Sequence, residues 1–273
     1  MERILVLGAS GFIGNAIYKE LCSYFDTHGT YCTDNPGLEK NHKFHQYDME
    51  TDSLDLLLYN LRPSIIISAV RGSFEAQIAL HYSAISYILT HPCKLIFLSS
   101  ANVFDAFTNY PSYEYDKTLS QSIYGRFKIK IENALLRLPN DKYNILRLPM
   151  VFGQGSPRLN EIKSLIDLGE AIEVFPNVVI NVTEISKITQ QIHYIVNRKL
   201  QGVFHLGSSD LVHQKDFVED VCEILGYENP LFKNVYDSNN DRYLAVLPKD
   251  NLLPLNLQIS VQEVVEASIK KIG

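Results

Sequence analysis

The chain has 273 residues, 46% of them hydrophobic, and a formal net charge of −6, enough length and apolar content to bury a full core, which excludes a disordered or low-complexity chain. The negative balance and the lack of a Lys/Arg run leave no electrostatic footprint for nucleic acid or an anionic membrane. Cys22, Cys32, Cys93 and Cys222 lie far apart without a CxxC pair, and the histidines show no HxxxH spacing, so neither a metal site nor a disulfide framework is expected.

Apolar and β-branched runs alternate with longer amphipathic stretches over the first two thirds, the pattern of a parallel sheet covered by helices on both faces. Strands are predicted at Arg3 to Leu7, Gly29 to Thr33, Lys43 to Gln46, Ser64 to Ala69, Lys94 to Ser99 and Tyr143 to Arg147. Between them helices are predicted at Ile13 to Tyr24, Ser53 to Asn60, Glu75 to Thr90 and Leu119 to Leu138. Beyond Gly153 the alternation breaks into an insert, with a helix near Leu159 to Leu168 and short strands at Ile172 to Phe175 and Val178 to Asn181. A strand at Gly202 to His205 and a helix from Gln214 to Leu225 follow, and a last helix is predicted around Val261 to Ile272. The chain enters its first strand directly after Met1-Glu2, and no apolar run reaches the roughly 18 residues of a membrane span. A cytoplasmic protein without a signal peptide is expected.

The heptad Gly8-Ala9-Ser10-Gly11-Phe12-Ile13-Gly14 follows strand Ile4 to Leu7 and opens a helix. Its glycines sit where a βα turn brings backbone close to a pyrophosphate, with the helix N-terminus facing the phosphates. The fold class expected is α/β, a Rossmann-like doubly wound parallel sheet with a small C-terminal substrate-binding lobe. Residues 1–152 would form the dinucleotide-binding domain, its sheet completed by about 182–225, with 153–181 and 226–273 as the lobe. Asp34, twenty positions past Gly14, is placed to accept hydrogen bonds from the adenosine ribose hydroxyls, which leans towards NAD because a carboxylate repels a 2′-phosphate. If the strand ends earlier, Cys32 or Thr33 takes that position, and NADP becomes admissible with charge from Lys40, Lys43 and Arg3. Asp48 is placed to meet the adenine amino group or to cap a turn, and Ala69 ends the fourth strand beside the cofactor.

Leu95-Ile96-Phe97-Leu98-Ser99-Ser100 is a buried strand ending in two hydroxyls at the carboxyl edge, where open α/β sheets bind ligands. Tyr124 and Lys128 are four apart and so share one helix face. A phenol is a poor acid near neutrality, its pKa being about 10, unless a cation lowers it. Lys128 supplies that cation and can also bond the nicotinamide ribose, while Ser100 orients a substrate carbonyl.

These motifs, with Val103-Phe104-Asp105, Tyr124-Gly125-Arg126 leading to Lys128 and Glu132, Arg147 leading into Val151-Phe152-Gly153, Phe204-His205-Leu206-Gly207, and Arg242 to Leu252, cover nearly the whole chain. They resemble the extended short-chain dehydrogenase/reductases, and within them the dTDP-4-dehydrorhamnose reductase family. The resemblance implies reduction of the 4-keto group of a nucleotide-activated deoxysugar, with hydride from a nicotinamide dinucleotide, a proton from Tyr124, and Ser100 in a role often filled by Thr. It implies sugar-nucleotide contacts from Asn102, Met150, Val151 and the insert, with a homodimer admissible. The chain departs from the family pattern at Ala101-Asn102, at Met150 and at Ser68 to Gly72, which points to a different sugar. An epimerase of the same fold is the nearest alternative. A different class is the silent dinucleotide-binding partner represented by the regulatory β subunit of methionine adenosyltransferase, against which the intact Ser100, Tyr124 and Lys128 argue. Asp105 would bond a sugar hydroxyl or cap a turn, and Tyr110, Tyr113 and Tyr115 lie in a loop that could cover the site. His28, His42, His45 and His213 are expected at the surface, and His81 on a helix surface.

Overall fold

The computed structural model describes residues 2–33, 35–236 and 238–267. The chain divides into two compact units: Met1–Ser99 with Arg126–Leu146 and Ile192–Val203, and Ser100–Gly125 with Arg147–Gln191 and Phe204–Gly273.

In chain order the first unit begins with β1 (Arg3–Leu7), α1 (Phe12–Leu21), β2 (Asp26–Tyr31), α2 (Pro36–Glu39), β3 (Phe44–Gln46), α3 (Leu54–Leu61), β4 (Ile65–Ser68), α4 (Phe74–Thr90) and β5 (Lys94–Ser100). Helix α5 (Ile123–Leu135) and β6 (Tyr143–Leu148) come next. The chain continues through β7 (Met150–Phe152), α6 (Pro157–Asp167), β8 (Ile172–Val174), β9 (Val178–Ile180), β10 (Val182–Glu184) and α7 (Ile185–Asn197). Strand β11 (Gly202–His205), β12 (Val212–His213), α8 (Gln214–Ile224), β13 (Phe232–Asn234), β14 (Arg242–Leu244) and α9 (Val261–Ala267) end the described chain. The part of the last expected helix beyond Ala267 lies outside the described residues.

The central sheet has the strand order β11-β6-β5-β4-β1-β2-β3. Strand β1 pairs in parallel with both β2 and β4, so the winding reverses beside β1, and β2–β3 and β4–β5 are parallel as well. This reversal is the doubly wound arrangement, and it opens a crevice at the carboxyl ends of β1 and β4. Leu5, Leu7, Ile66, Leu95 and Phe97 project from the strands into a core with Leu58, Leu80, Ile88, Ile131 and Leu135 of the helices. The near-continuous apolar strands follow from that burial on both faces.

The second unit has its own core, in which Phe152, Val174, Ile180 and Val182 pack with Phe217, Val221, Val264 and Val265. Its strands form short ladders: β10 beside β7, β13 beside β8, and β12-β9-β14.

Strand β2 starts at Asp26 and ends at Tyr31, earlier at both ends than its apolar pattern suggested. The carboxylate of Asp26 starts the strand by holding Arg3 Nε at 2.7 Å and Lys43 Nζ at 2.5 Å. His28 is buried rather than at the surface, with Nδ1 2.9 Å from His45 Nε2 and the two rings stacked. Helix α5 starts at Ile123, not Leu119. The carboxylate of Asp105 accepts from Ser120 Oγ at 2.8 Å and from the Gln121 N–H at 2.6 Å, which keeps these residues out of the helix.

Candidate active site

The glycine heptad forms the turn between β1 and α1. Gly8 has φ +78°, a left-handed conformation that glycine adopts without strain, and its N–H donates to Thr30 Oγ1 at 2.9 Å. A Cβ on Gly14 would lie 2.1 Å from the Gly8 carbonyl oxygen, and one on Gly8 would lie 2.8 Å from that of Ala69. Backbone thus closes on backbone at both positions, and Ala69 is tied in through its N–H to Leu7 O at 2.9 Å. Around Gly11 the nearest atom to an added Cβ is 3.4 Å away, so packing within the protein does not demand that glycine. Gly11 is the N-cap of α1 with no side-chain cap, and no acidic residue stands in the first turn. Ser10 is exposed, and Phe12, Ile13 and Gly14 make up the first turn. A bare helix N-terminus beside a close-packed glycine turn fits a dinucleotide pyrophosphate.

Past the end of β2, Cys32 and Thr33 are exposed, while Asp34 lies outside the described residues. Asp48 caps the turn after β3: its Oδ1 accepts the Glu50 N–H at 2.9 Å, and its N–H donates to Asp52 Oδ2 at 2.8 Å. Burial raises the pKa of the Cys32 thiol, and Asp48, Glu50 and Asp52 raise it further. Two of the cations expected to be available to a 2′-phosphate are engaged elsewhere. Arg3 and Lys43 both pair with Asp26 at the amino end of β2.

Lys128 is buried on α5, its Nζ donating to Leu98 O at 2.9 Å. The ammonium stands 4.7 Å from the centre of the Phe97 ring and 5.1 Å from that of Phe127. Burial pushes its pKa down to about 8, opposed by the charge of Glu132 one turn further along. His81, expected on a helix surface, is instead fully buried. Its Nδ1 faces Gln77 O at 2.5 Å and must donate, which leaves Nε2 to accept from Ser68 Oγ at 2.9 Å. Burial pushes the imidazole down to about 3, with Lys128 acting in the same direction. Only the tertiary packing of α4 on β4 and β5 reveals this residue.

In the second unit, Ser100 caps a short 3-10 turn, Ala101–Phe104. Its Oγ donates to Asn102 Oδ1 at 2.9 Å and accepts the Asn102 N–H at 3.2 Å. The turn is seated from below by the fully buried Arg147, whose guanidinium lies 4.8 Å from the Phe104 ring. Arg147 Nη1 donates to Glu114 O at 2.9 Å and to His205 Nε2 at 3.2 Å, and burial pushes His205 down to about 3, with Arg147 contributing. The Glu114 carboxylate accepts the backbone N–H groups of Lys249, Asp250 and Asn251, fastening the 242–251 segment to the loop that carries Tyr113.

Tyr124 is 39% exposed at the start of α5. Next to it, Gly125 lies close against the Ser100 turn: a Cβ there would lie 2.1 Å from Ser120 Oγ and 2.3 Å from Asn102 O. This glycine was legible only as part of a motif, because its steric role depends on residues 23 positions upstream. Met150 and Val151 lie half-buried on β7, opposite Val182 and Thr183 of β10. Among the described residues no group of His, Cys, Asp and Glu could hold a metal ion, and no helix is long and apolar enough to cross a membrane.

The chain is 28% identical over 167 residues to methionine adenosyltransferase 2 subunit beta of Bos taurus, covering 56% of this chain and 48% of that protein. It therefore spans about half the length of these curated relatives. It is 23% identical over 262 residues to the probable low-salt glycan biosynthesis reductase Agl14 of Haloferax volcanii, covering 88% and 86% of the two chains. The solved structure of dTDP-4-dehydrorhamnose reductase from Bacillus anthracis in complex with NADP shares its fold, with TM-score 0.74, 20% identity, and 98% and 97% of the chains covered. Residues 86–253 match the model of the RmlD substrate binding domain. That match takes in more than half of the chain, and the protein belongs to the RmlD substrate binding domain family.

Proposed function

We propose that the protein is an NAD(P)-dependent reductase of a nucleotide-activated 4-keto-deoxysugar. The observation that carries this reading is Tyr124 and Lys128 one turn apart on α5, with Lys128 buried as a cation and Ser100 ending β5. The dinucleotide, when bound, supplies the hydride. The turn at Gly8 and Gly11 and the N–H groups of Phe12, Ile13 and Gly14 would hold its pyrophosphate, and Lys128 would hold its ribose. Ser100 keeps the Asn102 N–H as donor and turns its own proton from Asn102 Oδ1 to the substrate carbonyl. Tyr124 gives its phenolic proton to the oxygen of the reduced carbon, favoured by the positive charge of Lys128. NAD is the preferred dinucleotide in this proposal, because the Asp34 carboxylate would repel a 2′-phosphate and Asp26 holds both Arg3 and Lys43. Substrate contacts are assigned to Asn102, Met150 and Val151.

A second reading, a dinucleotide-binding subunit without turnover, is favoured by the identity with the methionine adenosyltransferase subunit. Oxidation of NADH and NADPH, followed by absorbance with a panel of nucleotide-linked 4-keto-6-deoxysugars, separates the two. Substrate-dependent oxidation supports the reductase. Tight dinucleotide binding with no turnover on any sugar of the panel supports the subunit.

A further inference from the structure

We infer that Phe97 is a positioning residue for Lys128: its ring, together with that of Phe127, forms a π seat that keeps the Lys128 ammonium charged where water is excluded. The inference deepens the reductase reading and takes the role of Lys128 from it.

A lysine buried this far loses the hydration that favours its charged form. Its Nζ donates to the Leu98 carbonyl at 2.9 Å. It also faces an aromatic pair, with ring centres at 4.7 Å for Phe97 and 5.1 Å for Phe127, within the range at which a ring face attracts a cation. Phe97 itself is fully buried on β5, three residues before Ser100. Phe74 stacks on Phe127 at 5.2 Å and 16°, which fixes that second ring.

His81 meets Phe97 edge-on at 4.9 Å and 84°. A protonated imidazole there would be a second cation against the same ring, and the hydrogen bonds from Ser68 and to Gln77 hold it in one neutral tautomer. The groups facing Lys128 include Glu132 and Phe127 from its own helix, of which Glu132 favours the charge, neutral His81 from α4, and Phe97 with the Leu98 carbonyl from β5. Tyr124 precedes it by one turn. An aliphatic side chain at position 97 would fill the space and withdraw the attraction.

The test is the titration of Lys128 by NMR in lysine-labelled protein, with the resonance assigned through Lys128→Arg. Phe97→Leu is compared with a protein carrying trifluorinated phenylalanine at position 97, which keeps the shape of the ring and weakens its negative face. In the unaltered protein Lys128 is expected to titrate near about 8. Both replacements are expected to lower that value by roughly half to one and a half pH units, with the exposed Lys233 unmoved. The alkaline limb of kcat should move down by the same amount. A folded trifluorophenylalanine protein whose Lys128 titrates within about 0.2 units of the unaltered one overturns the π seat. Absence of turnover in the unaltered protein would remove the reductase reading, and the NMR titration would still decide the seat.

Discussion

Tyr124 and Lys128 are neighbours on α5 with opposite surroundings: the tyrosine is 39% exposed and the lysine 7% exposed. An exposed tyrosine can reach a substrate, whereas a buried cation can only act at short range, which is why the proposed reductase takes its proton from Tyr124. Tyr124→Phe is expected to leave dinucleotide affinity within about twofold while lowering turnover by at least ~10²-fold, the usual loss on removing a general acid. Titration calorimetry and single-turnover kinetics check the two halves of that statement, and unchanged turnover would take Tyr124 out of the mechanism. The four-residue spacing was legible because helix periodicity is local. The burial of Lys128 was not, since Phe97 comes from a strand 31 positions upstream.

At the level of elements, Gly125 closes on the turn after β5. An added methyl would meet Asn102 O and Ser120 Oγ well inside van der Waals contact. Gly125→Ala is expected to destabilise the protein by about 1–3 kcal/mol through overpacking and to displace the Ser100 turn. The effect on kcat should exceed the effect on dinucleotide affinity, because the glycine turn after β1 is a separate element. Equal losses in both, measured on the folded variant, would contradict this. The β1 to α1 turn was readable from sequence, since strand, glycines and helix follow one another within Arg3–Leu21. The start of α5 was misread by four residues, since Asp105, the residue that delays it, lies 15 positions before Ser120.

For the whole molecule, His81 in the first compact unit and His205 in the second are buried neutral, both pushed down to about 3 by burial. Burial also lowers His28 and His45. An unfolded histidine titrates near about 6.5, so between that value and the folded one the unfolded state binds more protons. Stability is therefore complete above about pH 6.5 and falls as the pH falls. From about pH 7.5 to 5.5 the expected loss is roughly 1.4 kcal/mol for each fully buried histidine. Further acidification protonates Asp26, whose pKa the hydrogen bonds from Lys43 and Arg3 hold far below the usual carboxylate range. Urea midpoints across that interval check the sign, and a midpoint that does not move would refute it. His81→Gln, which retains an acceptor for Ser68, should flatten the slope.

Sequence alone determined the α/β class, the glycine turn, the hydroxyl-ended strand and the Tyr124 to Lys128 spacing, because each is written in residues that lie within one or two turns of each other. The tertiary structure alone decided which side chains are dehydrated. His81, His28 and His205 read as ordinary histidines until β-strand neighbours and helix packing remove their water. The same holds for charge. Arg3 and Lys43 look available in sequence, and only the pairing of β1, β2 and β3 brings both to Asp26. Electrostatics and solvation depend on distances through space, which local sequence pattern does not encode.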